Sequence, residues 1–313
     1  MDQRGVRGEA DDLASSPSGG VGQGGEVSES GQTEVTARPE PRLSEGLLAL
    51  RRKLLDFANA KIEKAGGLVV NVDGIGLEAI IAEAGVPRSS VYRIWHSREA
   101  FLVDLLCDLA SHSARGSFAL QQHTIVPVRN VLATNLDRLQ TSEGRRSLLA
   151  DAIRVGVEAN FKALRHSVEW RSHVAMIASI LSAPAEARER LEAAVISTER
   201  SLVERMAEFY ADVTELLGFR IKYGLSFDHM VTLGAALIEG LCMRSVLSPT
   251  VVNTPVMVDE QPWHFASLSF MAIADQFLDL VPEDEYDAGR ALSSYLARLA
   301  EREATQLHLR PSS

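Results

Sequence analysis

Apolar residues recur along most of this chain at the three- and four-residue spacing of amphipathic helices. Leu47, Leu50, Leu54, Phe57 and Ile62 form one such stripe, with Arg51, Arg52 and Lys53 clustered on its polar side and Gly66-Gly67 as a stop. A short helix is predicted over 77–84, with Leu77, Ile80, Ile81 and Ala84 inward, and Gly85 breaks it. A third begins near Pro87 and runs to about Trp95. A fourth covers 99 to about 114, striped by Leu102, Leu105, Leu106 and Leu109, with Asp104 and Asp108 on the other side. Further helical segments follow near 126–140, 146–164, 167–182, 185–217, 227–247, 264–280 and 287–304. The segment 185–217 is the longest, with Glu186 and Arg190 at i,i+4 on its outer face and Val195, Leu202, Met206, Phe209 and Val213 inward. Pro184, Gly218, Pro249, Pro255, Pro262 and Pro282 punctuate the breaks. No strand-period run, hairpin signal or internal repeat stands out, so the expected class is all-α.

Residues 1–42 depart from this pattern. They carry SSPSGGVGQGG and ARPEPR, no aromatic residue and few large aliphatics, too little apolar surface to offset the entropy of ordering. A disordered N-terminal tail is expected there, then a small helical domain over 43–97 and a larger one over 98–313. With 313 residues, 46% of them hydrophobic and 24% charged, the chain is neither collagen-like, nor a coiled-coil rod, nor wholly disordered. The net charge of -10 argues against a polybasic coat protein while leaving room for a local basic patch. Cys107 and Cys242 exclude a disulfide framework; both read as buried small hydrophobes, with a single bridge left open. No apolar run reaches the roughly 18 residues of a membrane span, and the N-terminus has no apolar signal core, so a cytoplasmic protein with no membrane partner is expected.

The informative stretch is IIAEAGVPRSSVYRIWHSREAFLVDLL, from Ile80 to Leu106. Two short helices joined by a tight turn at Gly85 make a helix-turn-helix, whose second helix fits the major groove of DNA. At about 100° per residue, Val91 and Trp95 fall on one side and pack inward. Ser89 and Arg93 fall nearly opposite, flanked by Ser90 and Tyr92. Hydroxyls and guanidinium groups are the chemistry that reaches phosphates and base edges. Arg88, Arg93 and His96 lie between Pro87 and Ser97, Arg98 follows at once, and no acidic residue interrupts them. Pro87 suits the first turn of that helix, where its missing N–H costs nothing.

The stretch Leu77 to Leu106 resembles the DNA-binding region of the TetR family of transcriptional regulators. The matching residues are Ala84-Gly85-Val86, Ser90-Val91-Tyr92, Trp95 and Ser97-Arg98-Glu99-Ala100-Phe101-Leu102. The close match covers about 30 residues; the rest agrees in layout only. The resemblance implies base reading by Arg88, Ser89 and Arg93, and phosphate contacts by Ser90, Tyr92 and Arg98. It also implies a homodimer on double-stranded DNA and a C-terminal helical domain that binds a small-molecule effector; the want of any catalytic or metal-ligand motif separately leads to the expectation of no cofactor, metal or enzymatic activity. Four positions depart from the family pattern: Gly76 where Thr is frequent, Glu78 where a basic residue is, Ile81 where a small one is, and Ile94 where His or another polar residue is. The alternative is a helical interaction protein of the same fold that does not bind DNA.

Beyond residue 115 no specific motif recurs. The run VTLGAALIEGLCMRSVL over 231–247 resembles the family's dimerisation helix, with Gly234, Ala235 and Ala236 small enough for close approach and Leu233, Leu237 and Leu241 supplying apolar area. With 265–280 it would give two helices of a four-helix bundle shared with a partner subunit. Phe161, Trp170, Met176, Met206, Phe209, Tyr210 and Trp263 are candidates for the lining of a mostly apolar pocket, although residues of these types more often simply fill a core. His166 and His173 lack metal-ligand spacing, and no GxSxG, P-loop or dinucleotide fingerprint sits in a strand–helix context.

Overall fold

The computed structural model describes residues 43–68 and 77–308, with backbone alone at 112–121, 186, 303 and 305–308. The tail over 1–42, Gly76 and the pairing of Glu186 with Arg190 lie outside the described residues. What is described is mostly helical, as the periodicity predicts.

The first helices build a small core of their own. Helix α1 (Glu45–Lys64) buries Leu54, Leu55, Ala58 and Ile62 and stops at Gly66 and Gly67, both at positive φ. Helix α2 (Leu77–Ala84) buries Leu77, Ile80 and Ile81, so the bulky Ile81 is taken up by the interior. Helix α3 (Arg88–Ile94) adds Val91, and Trp95 closes the cluster beneath it. The rings of Trp95 and Phe101 meet edge to face, 5.0 Å between centroids. Each fully buried side chain of this size contributes about 1.5–3 kcal/mol.

Helix α4 (Arg98–Ala133) runs on well past residue 114, with Pro127 inside it. The polar stretch after Ala110 carries no apolar stripe, which is why periodicity alone ends the helix early. A proline in a helix interior costs about 3 kcal/mol. Packing against α5 (Ser142–His166) and α7 (Ala185–Leu216) offsets it here. Helix α6 (Val168–Ser182) lies between α5 and α7 in sequence. A 3-10 turn at Leu136–Gln140 precedes α5, whose first turn hides Arg145 completely. The Arg145 guanidinium lies 4.0 Å from the Tyr286 ring centroid and donates through Nη2 to the Val281 carbonyl at 3.0 Å.

The larger core is shared by α4, α5, α7, α8 (Phe227–Leu247) and α10 (Phe265–Phe277), with the short α9 (Pro249–Asn253) and the long α11 (Ala288–His308) against it. Among the described residues, four three-residue strands join this helical framework. Strand β1 (Phe219–Ile221) pairs antiparallel with β4 (Leu278–Leu280), and β2 (Val256–Val258) with β3 (Gln261–Trp263). The β2–β3 hairpin turns at Asp259 and Glu260, both at positive φ. That geometry normally selects Asn-Gly or Asp-Gly, so the sequence carries no hairpin signal. Cys107 and Cys242 are both free. Helix α8 is 21 residues long, with a mean hydropathy of 1.5 over an 18-residue window. By length and composition it meets the test for a membrane span, contrary to the expectation that no run does, although it packs on α7 and α10.

The small core is tied to the larger one by more than α4. The Leu68 amide donates to Ser172 Oγ at 3.0 Å, and Arg171 Nη2 donates to the Gly66 carbonyl at 3.1 Å.

Candidate nucleic-acid interface and interior cavity

Gly85 turns the chain at φ +63, and the Val86 amide donates back to the Ile81 carbonyl at 3.4 Å, closing α2. A side chain at this φ would be strained. Pro87 is the residue before α3 rather than its first member, and its carbonyl accepts from the Ser90 and Val91 amides. Helix α3 then presents its sides as the spacing predicts: Val91 and Trp95 are buried, Ser89 and Arg93 are exposed, and Ser90 is half-buried. His96 is exposed, and Arg98 is exposed at the first position of α4 beside Glu99. Ser97 caps α4, its hydroxyl accepting from the Ala100 amide at 3.1 Å.

Arg88 and Tyr92, both predicted contact residues, are already engaged by α2. Arg88 forms an ion pair with Glu78, and the Tyr92 hydroxyl donates to the other Glu78 oxygen at 2.7 Å. The acid-free run of the sequence is therefore not acid-free in space, because α2 brings Glu78 against α3. The Arg51–Lys53 cluster, a candidate for phosphate contact, is largely committed elsewhere too. Arg51 grips Asp104 with two hydrogen bonds of 2.7 Å, and Arg52 pairs with Asp56 and Asp108 at 3.0 Å each. Lys53 alone of the three is without an ion pair among the described residues.

Asp104 and Asp108, placed on a solvent side by the stripe of α4, thus face α1. Asp104 also accepts from Trp95 Nε1 at 2.8 Å and lies 3.9 Å from Arg190 of α7. Burial opposes its ionisation, but the hydrogen bonds from Arg51 and Trp95 outweigh it and hold the carboxyl below its ordinary range. One carboxylate therefore fixes α1, the end of α3 and α4 together.

In the larger region a cavity of about 140 Å³ opens between α5, α6, α7 and α8. Of the residues expected as lining, Trp170, Met206 and Tyr210 are there. Phe161, Met176 and Trp263 are core, and Phe209 borders a separate void of about 50 Å³. The sequence reading missed His173, Glu199 and Glu239, which also line the cavity. Burial, reinforced by Glu199, pushes the Glu239 carboxyl up to about 7, and burial pulls His173 below its usual value. A single acid inside the apolar run LGAALIEGLCM was the available signal for Glu239.

Helix α8 also has an outward side. Leu233, Ala236, Gly240, Met243 and Leu247 follow one another at alternating steps of three and four residues, the spacing of a helix-pairing seam. Leu247 is 72% exposed and neighbouring Val246 78%. Gly234 does not belong to that seam: a Cβ there would lie 2.5 Å from Phe270 Cε2, so its smallness admits α10 of the same chain. Ala235 faces the cavity. Comparison with family models, with curated proteins and with solved structures returns no match.

Proposed function

We propose that this chain is a TetR-like transcriptional regulator, a repressor that binds a near-palindromic operator as a homodimer and is released by a small-molecule effector. The observation that carries this reading is the exposed Ser89–Arg93 side of α3, set on a small rigid core behind the positive-φ turn at Gly85. Each α3 would enter a major groove, the two about 34–36 Å apart. Ser89 and Arg93 read bases; Ser90 and Arg98 hold phosphates; Arg88 and Tyr92 join them on leaving Glu78. The outward seam of α8 supports the dimer, because water-exposed Leu233, Met243 and Leu247 at pairing spacing favour a second copy of the same helix. The cavity supports an effector site.

The test is a gel shift and footprint of the full chain on the DNA flanking its own gene, with Arg93→Ala beside it. Arg93→Ala is expected to cost about 1–3 kcal/mol at the cognate site and to relax its sequence preference. Equal losses on cognate and random duplex would remove Arg93 from base reading. The second reading, a helical interaction protein that leaves DNA alone, is favoured by one observation: Glu78 already occupies Arg88 and Tyr92. No shift of any duplex at low salt would select it.

A further inference from the structure

We infer that the cavity between α5, α6, α7 and α8 binds a small aromatic cation, with Glu239 and Glu199 as its counter-charge and Trp170 and Tyr210 as its walls. The inference rests on the regulator reading, in which this cavity is the effector site, and adds the class of ligand.

The first argument is charge. Glu169, Glu199 and Glu239 line the cavity, and neither Lys nor Arg does. Glu169 is occupied, accepting from Ser167 Oγ at 2.7 Å. Glu239 has no ion pair or hydrogen bond among the described residues, and its electrostatic neighbour is another acid, Glu199 of α7. A half-buried carboxyl facing a second acid either holds its proton or ionises against a cation that arrives between them. Burial disfavours the charged form of His173 of α6 more than Glu199 favours it. An anionic ligand would meet repulsion from three directions.

The second argument is the walls. Trp170 and Tyr210 line the cavity, and an ammonium group against the face of such a ring is attracted by its quadrupole. Leu164, Leu202 and Ile238 complete an apolar enclosure that takes a ring rather than a polyamine. The volume of about 140 Å³ is close to that of engineered cavities of about 150 Å³ that admit benzene. It suits a single ring with a short arm. Third, the Trp170 indole N–H is buried without an acceptor among the described residues. A buried donor left unpaired is costly, and a ligand oxygen would satisfy it.

A matched series isolates the charge: tyramine, tyrosol and 4-hydroxyphenylacetate share ring, hydroxyl and chain length, and differ in carrying an ammonium, an alcohol or a carboxylate. Calorimetric titration of the intact full chain is expected to show saturable tyramine binding, tyrosol weaker by roughly tenfold or more, and no 4-hydroxyphenylacetate binding. Glu239→Gln, which replaces an unpaired acid by an amide of the same shape, is expected to fold and to bring tyramine down to the affinity of tyrosol. Glu199→Gln is expected to do the same to a smaller degree. Tyrosol or 4-hydroxyphenylacetate binding as tightly as tyramine, or no tyramine saturation at millimolar concentration, would overturn the inference. Selective tyramine binding that leaves affinity for the footprinted DNA unchanged would uphold the cation site and sink the effector reading. Operator binding by a chain that shows no preference for the amine would do the reverse.

Discussion

Asp104 and Glu239 are both carboxylates set into helix-lined interiors, one in each region of the molecule, and their surroundings are opposite. Asp104 is closed in by Arg51 and Trp95, with its side chain 9% exposed and its hydrogen-bonding capacity used. Glu239 faces Glu199 and a cavity. The small core thus spends its buried charge on holding three helices in a fixed relation. The larger region grips its buried Asp212 with Arg298 and Arg302, but at the cavity it sets Glu239 beside another acid instead of a cation. On the proposed reading, a fixed platform for α3 and a cavity for a ligand are the two demands of a ligand-responsive regulator, and the two carboxylates separate them. The link between them runs through α4, which carries Asp104, and α7, which brings Arg190 to 3.9 Å from it and Glu199 to the cavity.

The sharpest way to break this contrast is Asp104→Ala. It strands the Arg51 guanidinium and the Trp95 N–H together, and removing one partner of a buried pair costs about 3–5 kcal/mol. Because Arg51 is itself 36% exposed, the lower end is expected. Denaturant unfolding measures it, and a loss under 1 kcal/mol would mean that Asp104 is not the tie described here. The pH dependence has a definite sign. The folded carboxyl titrates below its unfolded value, so its contribution is full above the unfolded pKa and disappears as pH falls through the folded one. The variant should therefore lack part of the acid-side loss seen in the parent chain.

Glu239 predicts the opposite slope. Its folded value of about 7 lies above the unfolded one, so the native state binds the extra proton and stability declines as pH rises from about 4.5 to about 7. Above that range the full penalty applies, about 3 kcal/mol. Its charged neighbour is Glu199 on α7; Glu169 and His173 on α6 share the cavity lining, Cys242 follows it on its own helix, and Arg165 on α5 acts on Cys242. His173, with its pKa lowered by burial, slopes the other way near its own titration. The difference between the parent chain and Glu239→Gln cancels that contribution. Thermal unfolding of both from pH 5 to 8 should show curves that diverge as pH rises, the variant being the more stable at the alkaline end. Parallel curves would remove Glu239 from the acids strained by burial.

The sequence carried unequal amounts of this. Helices α2 and α3, the turn at Gly85, and the inward and outward sides of Val91, Trp95, Ser89 and Arg93 follow from spacing over about 15 residues, because each is a local choice. The course of α4 beyond residue 114 does not, since its continuity rests on packing against α5 and α7 rather than on a stripe. The β2–β3 hairpin is hidden because Asp259 and Glu260 hold a conformation that ordinarily advertises itself with glycine. Charge partners are the least legible of all: Arg51 meets Asp104 from 53 residues away, and His173, Glu199 and Glu239 come from three helices. A run of basic residues read along the chain says what cations are present, but only the fold says which of them are already spoken for.

That last point bears on Glu78, where the smallest effect is expected and where the two readings of function part. Its pair with Arg88 is largely exposed, the side chains 49% and 68% accessible, so losing it should change folding stability by under about 0.5 kcal/mol. Its effect on DNA should be larger than its effect on the fold. Beside a duplex, Glu78 places a negative charge near phosphates and holds Arg88 and Tyr92 away from them. Glu78→Gln removes the charge and releases both. If α3 is a recognition helix, the variant should bind cognate and random DNA several-fold more tightly, with a salt dependence steeper by up to about one phosphate contact. Added Arg88→Ala should cancel most of the gain, since the freed guanidinium is what would reach the backbone. An unchanged affinity in Glu78→Gln would show that the α2–α3 ion pair does not restrain Arg88, and a chain that still ignores DNA once this acid is gone would be an interaction protein wearing a helix-turn-helix.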